Sequence, residues 1–569
     1  MGVLETVASA KNYVADSHKG QLRTDLLIFG GTTSGVAAAI QAGRMGIDVI
    51  LIAEHDWLGG MYTSAGVSAF DGNKGALGTG IFREIRSAIE SYYGGAANTF
   101  TGWVSETCFE PHVAEGIIEQ KITSLPSVRV FRGYNVKEVI GDRYRVIGAV
   151  FTNGLGAELL VEAKVTIDAS EFGDLISLAG VPHRYGRESR YETGEPDAQE
   201  KSDNVIQDLT YVATLKDYHK EVDIPFEVPD YDEAMFSCCC SEACTHAPSG
   251  LRLYSAKEFI GYGRLPNDKY MLNWPIKGND LAGDYLDRSK REEVIRKAKQ
   301  KTLCFIHFIR ERLGLRNMSL AMDEYQTPDH MPYSPYIRES IRIVGVETFS
   351  EHHILRSSGY DAIRGSVAIG HYWIDHHHSD PITGEPIKDE SYPPLEETRP
   401  YQIPVGCLIP FETDGLIAAE KNIASTHLSN GVARLQPVVT QIGQAAGALA
   451  ALSVKLGLEP RSVPVDLLQS VLIDSECAVY PYYNVVPEDP TFQAVQRLTA
   501  SRVLRTTDNL VPFSKPITED ERSLIVEALN SPRLDHLLRK LKPRYPEIRF
   551  ARNVKELLEA IDVQRDSQL

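Results

Sequence analysis

Of 569 residues only eight are cysteine, eight methionine and four tryptophan. So few thiols exclude a small scaffold framed by disulfides. Cys108, Cys304, Cys407 and Cys477 stand isolated, as thiols do in a reducing compartment, so a cytoplasmic location is expected. Basic residues are outnumbered, 59 against 77 acidic, for a net charge of −18. That balance argues against a chain whose overall charge grips phosphate backbones, and no nucleic-acid partner is expected. No run of about 18 uncharged apolar residues occurs, so no membrane span is expected. Met1 to Thr24 lacks a basic stretch followed by an apolar one, and no secretory signal is read there.

What is present is ordinary globular material: 43% hydrophobic and 24% charged residues. The length exceeds what one hydrophobic core serves, so several domains are expected. The first ordered feature is the apolar run Asp25 to Phe29, entering Gly30-Gly31-Thr32-Thr33-Ser34-Gly35. Helix formers follow from Val36 to Arg44, and a second apolar run, Asp48 to Ala53, ends in Glu54. Strand, glycine turn, helix, strand and acid make the βαβ unit of a dinucleotide-binding fold. Gly30 permits the tight turn, Gly35 lets the helix pack close to the sheet, and the helix N-terminus receives a pyrophosphate. Glu54 is placed to accept hydrogen bonds from ribose hydroxyls. Thr32 replaces the middle glycine of the usual spacing. A βα turn in an unrelated parallel-sheet protein would explain the glycines but not the acid.

Further segments echo a cofactor site. Trp57-Leu58-Gly59-Gly60-Met61 is a second glycine pair, and Val165 to Asp168 reads as a strand leading into Ala169-Ser170-Glu171. Near the other end, Arg434 precedes the small-residue helix Gly443-Gln444-Ala445-Ala446-Gly447. With Tyr336 to Ile343 and Asp375-His376, these stretches occur in the order found in one family. The chain resembles the FAD-dependent oxidoreductases of the glutathione-reductase-like superfamily, from about residue 25 to about residue 455.

The resemblance implies FAD, covalent or non-covalent. Carried over, Gly30, Gly31, Thr32, Thr33, Ser34 and Gly35 would face the pyrophosphate, and Glu54 the adenosine ribose. Gly59, Gly60 and Met61 would line the flavin side, with Asp168 and Ala169 at a strand end near the cofactor. Backbone N–H groups of Gly443, Gln444, Ala445 and Ala446, together with Arg434, would stabilise negative charge on the reduced flavin. Ser170-Glu171 stands where the family has Thr-Gly, and a larger side chain there would crowd the flavin or offer it a carboxylate.

Four clusters lie outside these cofactor segments. Leu272 to Asp280 reads as a structural turn or as a substrate contact. In Tyr336 to Arg342, alternate residues would share one strand face, with Arg338 positioning an anionic substrate or pairing internally with a glutamate. In Gly370 to His378, His376 is the expected acid or base with Asp375 orienting it, and no metal is expected there. Cys238-Cys239-Cys240 with Cys244 is read as a loop of unexplained composition.

The expected architecture is α/β: a Rossmann-like FAD-binding domain with an inserted α+β substrate domain and a C-terminal helical region. The FAD domain takes residues 24–175 and 401–460, the substrate domain 176–400, and the helical region 461–569. That tail faintly resembles a surface-layer-homology repeat, with a helix starting at Thr518, and reads as a helical cap or a surface for a second copy of the chain. The expected activity is oxidation of a small organic substrate by hydride transfer to the flavin, electrons passing to oxygen or another acceptor. The alternatives are a flavin-dependent reductase or isomerase, or an inactive wall-associated binding protein.

Overall fold

The computed structural model describes residues 20–72, 79–228, 230–246, 252–355, 364–379, 398–504, 509–530 and 535–563. Its central sheet grows from apolar runs that are buried along their length. Strand β1 (Gly20–Phe29) pairs in parallel with β2 (Val49–Ala53), and β2 with β3 (Val128–Arg132). On its other side β1 pairs in parallel with β6 (Glu158–Asp168), Phe29 lying opposite Asp168. The hairpin β4 (Tyr134–Gly141) and β5 (Val146–Asn153) adds antiparallel to the first half of β6. The second half of that edge takes β7 (Leu416–Ala418) in parallel, so a late segment completes a sheet begun by the first strands. Val, Ile and Leu fill β2 because helices cover both faces of a parallel sheet.

Helix α1 (Thr33–Arg44) is buried from Thr33 to Gly43. Thr32 caps it, its hydroxyl accepting from the Gly35 N–H. Two further helices, α2 (Gly80–Tyr92) and α3 (Pro111–Thr123), pack nearby. The stretch between residues 176 and 400 holds an antiparallel sheet in which Ala213–Asp217 lies between Lys269–Leu272 and Met318–Leu320. The amphipathic α4 (Arg291–Arg312) buries Ala298, Phe305 and Ile309. Strand Ser366–Gly370 pairs with Tyr401–Pro404 and leads into an irregular segment, residues 371–379.

Two late helices close the structure, α5 (His427–Ala433) and α6 (Gln436–Leu456). By length and composition α6 could cross a bilayer, with mean hydropathy 1.3, but 94% of that stretch is buried inside the protein. It is a core helix. The tail is mostly helical, with Arg497 buried against Asp474 and Thr518 capping the helix Glu519–Leu529. It also holds an antiparallel strand pair, Leu541–Pro543 with Ile561–Val563, which a purely helical reading left out.

Candidate active site

The two glycine segments meet. Gly59 N–H donates to the Gly31 carbonyl at 2.8 Å, and Thr33 Oγ1 donates to the Gly59 carbonyl at 2.8 Å. A Cβ on Gly60 would lie 2.9 Å from Thr32 Cα, and one on Gly30, where φ is +114°, 2.4 Å from the Ala169 carbonyl. Both positions therefore need glycine. Met61 is buried beside them. Gly31, Thr32, Glu54, Gly60 and Asn135 line one groove of about 240 Å³. Burial pushes the Glu54 carboxyl up to about 8, the carboxylates of Asp174, Glu171 and Asp168 adding to the effect.

Asp168 does not turn its carboxylate outward. It accepts from Ser170 N–H at 2.9 Å, Ser170 Oγ at 2.7 Å and Ile176 N–H at 3.0 Å, fixing the loop after β6. Glu171 forms an ion pair with Lys421 at 2.6 Å. Sequence reasoning missed Glu420, which accepts from Ser34 N–H at 3.1 Å and Ser34 Oγ at 2.7 Å at the start of α1. The signal was available. Glu420 follows the short apolar strand β7 as Glu54 follows β2, at the carboxyl ends of parallel strands where ligands bind.

The late helix requires a correction. Gly443, Gln444, Ala445 and Ala446 lie in the second and third turns of α6, where N–H groups are spent on the helix itself. Their small size serves packing instead: a Cβ on Gly443 would fall 2.2 Å from the Ser34 carbonyl, and one on Gly447 2.3 Å from the Ala38 carbonyl. The Gln444 side chain accepts from Ile81 N–H at 3.0 Å and donates to Gln41 at 3.0 Å. The helix N-terminus is Gln436–Pro437. Gln436 Oε1 accepts from Asp71 N–H at 3.2 Å, and Pro437 lines a cavity of about 340 Å³. Phe70, Asp71, Val104, Tyr372 and Trp373 share that cavity. Burial and the neighbouring Asp375 carboxylate raise the Asp71 carboxyl to about 6, against the pull of Arg434. No motif marked Asp71.

The residues expected to act on substrate are brought together in a different pairing. Arg338 is buried. It donates to the Asp208 carbonyl at 2.9 Å and to Thr210 Oγ1 at 2.8 Å, and pairs with Asp280 at 3.2 Å. Its internal partner is thus an aspartate, while Glu339 pairs with Arg342. Burial alone would raise the Asp280 carboxyl, but Arg338 and His377 hold it well below the usual range. Asp375 accepts from Arg434 at 3.0 Å and lies 3.7 Å from His377, so it does not orient His376. Arg434 also donates to the Tyr336 hydroxyl. The side chains alternate: Asp375 and His377 turn toward Arg434 and Asp280, His376 and His378 toward His427. In the turn after Leu272, Asn279 binds Trp274 N–H at 3.0 Å, a structural role. Cys238 and Cys244 are joined by a disulfide across the loop whose composition the sequence left unexplained, and Cys239 and Cys240 beside them are buried.

A family model described as FAD dependent oxidoreductase matches residues 25–472. The chain belongs to the FAD-dependent oxidoreductase family. FAD is its cofactor. The glycine cradle, the α1 N-terminus and the Glu54 carboxyl fit that group, and these residues would hold it. A search of curated proteins finds no match. Among solved structures, flavin-dependent brominase Bmp2 is 19% identical over 37% of this chain and 48% of that one, TM-score 0.24. Thermovibrio ammonificans THI4 is 21% identical over 28% and 64%, TM-score 0.22. The myxobacterial chondrochloren halogenase CndH is 15% identical over 36% and 46%, TM-score 0.23. Each match spans less than two-thirds of the other chain.

Proposed function

We propose that the protein oxidises a small organic molecule held in the cavity at the N-terminus of α6, with Asp71 taking the proton. The observation that carries this reading is Asp71 itself. Asp71 lines the cavity, its backbone N–H donates to Gln436 Oε1, and its carboxyl is raised to about 6, so that near neutral pH it is an ionised base with a proton affinity suited to transfer. FAD, when bound, would supply the acceptor for the hydride, two electrons with one proton, while the second proton goes to Asp71.

The chain's own groups do the rest. Phe70, Val104, Tyr372 and Trp373 give the cavity an apolar wall that favours a largely apolar substrate and displaces water. The α6 N-terminus directs its partial positive charge at that wall. Arg434, fixed between Tyr336 and Asp375, sets a second positive charge close by. Asp375 keeps its carboxylate beside Asp71 and so helps hold the Asp71 proton affinity high. His376, expected as the base, stands instead with two other histidines. Whether electrons then pass to oxygen or to another acceptor sets oxidase apart from dehydrogenase.

The test is anaerobic mixing of the flavin-loaded protein with a panel of small alcohols, amines and hydroxy acids, followed by absorbance. A bleaching substrate should be lost with Asp71→Asn while flavin content is retained. Bleaching at the wild-type rate in that variant would overturn the assignment of Asp71.

A further inference from the structure

His376 and His378, two apart on an extended segment, present their rings on one side, and His427 at the first position of α5 meets them from another part of the chain. Their ring centroids are 4.6 to 5.1 Å apart. His427 Nε2 faces His378 Nε2 at 2.9 Å, and one ligand nitrogen from each of the three lies within 4.8 Å of the others. Imidazole nitrogens around one tetrahedral zinc ion stand roughly 3.3 Å apart, at metal–nitrogen distances of about 2.0–2.1 Å. The cluster brackets that spacing.

The surroundings also suit a cation. His427 Nδ1 lies 3.0 Å from Glu339 Oε1, and a hydrogen bond there leaves the Nε2 lone pair for the cluster, the carboxylate–histidine arrangement of metal sites. Behind His427, Glu339 and Glu188 both pair with Arg342, and Glu188 also lies 3.9 Å from Arg184. Gly431 is part of the arrangement: a Cβ there would lie 2.6 Å from His376 Nε2. A second grouping, Glu110, His112 and Glu324, is different in kind. Lys269 already stands in it, 2.9 Å from Glu110 and 2.7 Å from Glu324, and supplies the positive charge.

We propose that His376, His378 and His427 bind a divalent first-row transition metal of the zinc class, with a fourth position open. Three neutral imidazoles suit such ions, and three protein ligands leave room for water or a substrate oxygen. His376 is only half-buried, which gives the site an approach.

The test uses the flavin-loaded protein stripped with EDTA and titrated with zinc chloride by calorimetry. One ion per chain is expected. His378→Ala and His427→Ala should each weaken binding by more than about 100-fold. Gly431→Ala keeps all three ligands but displaces His376, and should weaken binding by about 10-fold or more. His112→Ala should leave it unchanged. X-ray absorption at the zinc edge of the wild-type protein, which needs no variant to fold, should show only nitrogen or oxygen neighbours near about 2.0 Å. Sulfur in that shell would move the ion to the cysteines and overturn the proposal, as would no binding below millimolar zinc or undiminished binding in the histidine variants.

Discussion

Gly443 of α6 lies against the carbonyl of Ser34 in the first turn of α1, so closely that a Cβ would fall 2.2 Å from the oxygen. That contact brings the core helix onto α1, whose N-terminus would face the FAD pyrophosphate. In Gly443→Ala the gain in helix propensity is about 1 kcal/mol. Overpacking against a backbone oxygen that cannot swing away costs about 1–3 kcal/mol. The clash should win. The expected result is a lower melting temperature and weaker retention of FAD on gel filtration. An unchanged melting temperature would mean that the helices have room to part.

Glu54 should govern FAD affinity in a pH-dependent way. Its carboxyl is raised to about 8, so the carboxylate that would accept from the ribose hydroxyls of FAD forms fully only above that pH. FAD should therefore bind more tightly as pH rises from 7 to 9. Hydrogen bonds to a charged group are worth about 1.5–3 kcal/mol, so Glu54→Gln should weaken binding at pH 9 by about 10-fold or more. The variant should also lose the pH dependence, as followed by flavin fluorescence.

These first-turn features were legible because they are local. Glycine spacing, apolar runs and a terminal acid all lie within thirty residues, and β1, α1 and β2 form where the pattern puts them. The late helix was legible as a helix of small residues. What small residues serve was not, since close packing on α1 and exposed N–H groups ask for the same composition. The histidine run failed for another reason. In three consecutive histidines alternate rings face opposite ways, and nothing local says that His377 meets Asp280 or that His427, 49 residues beyond His378, completes the other face.

Asp71 should show opposed effects on activity and stability. Its carboxyl moves from an ordinary value of 3.8 to about 6 on folding, so the folded state favours the neutral form. The associated stability is full below the unfolded value and is lost as pH rises through about 6. At pH 7 the ionised group is thus a cost, and Asp71→Asn should raise stability by about 1–2 kcal/mol, discounted for its partial exposure. The same variant should lower the rate of flavin reduction by about 100-fold or more. In the wild type that rate should fall below about pH 6. A variant less stable than wild type, with unaltered kinetics, would remove Asp71 from the site.

Arg338 separates a structural role from a substrate contact. Its guanidinium is buried and faces Asp280, the Asp208 carbonyl and Thr210, with its plane over the Tyr336 ring at 4.7 Å. Removing one partner of a buried pair leaves a charge with neither water nor counterion and costs about 3–5 kcal/mol. Arg338→Met should therefore lower the unfolding free energy by about 3 kcal/mol, the low end of that range, because His377 and the Thr210 hydroxyl still face Asp280. Arg338→Met combined with Asp280→Asn should recover part of the loss, since the abandoned carboxylate is gone while the packing stays similar. Were Arg338 instead a substrate contact, the single variant would melt like the wild type and only KM would rise. Denaturant titration of the two variants beside the wild type decides between the roles, and recovery in the double variant identifies the unpaired carboxylate as the cause.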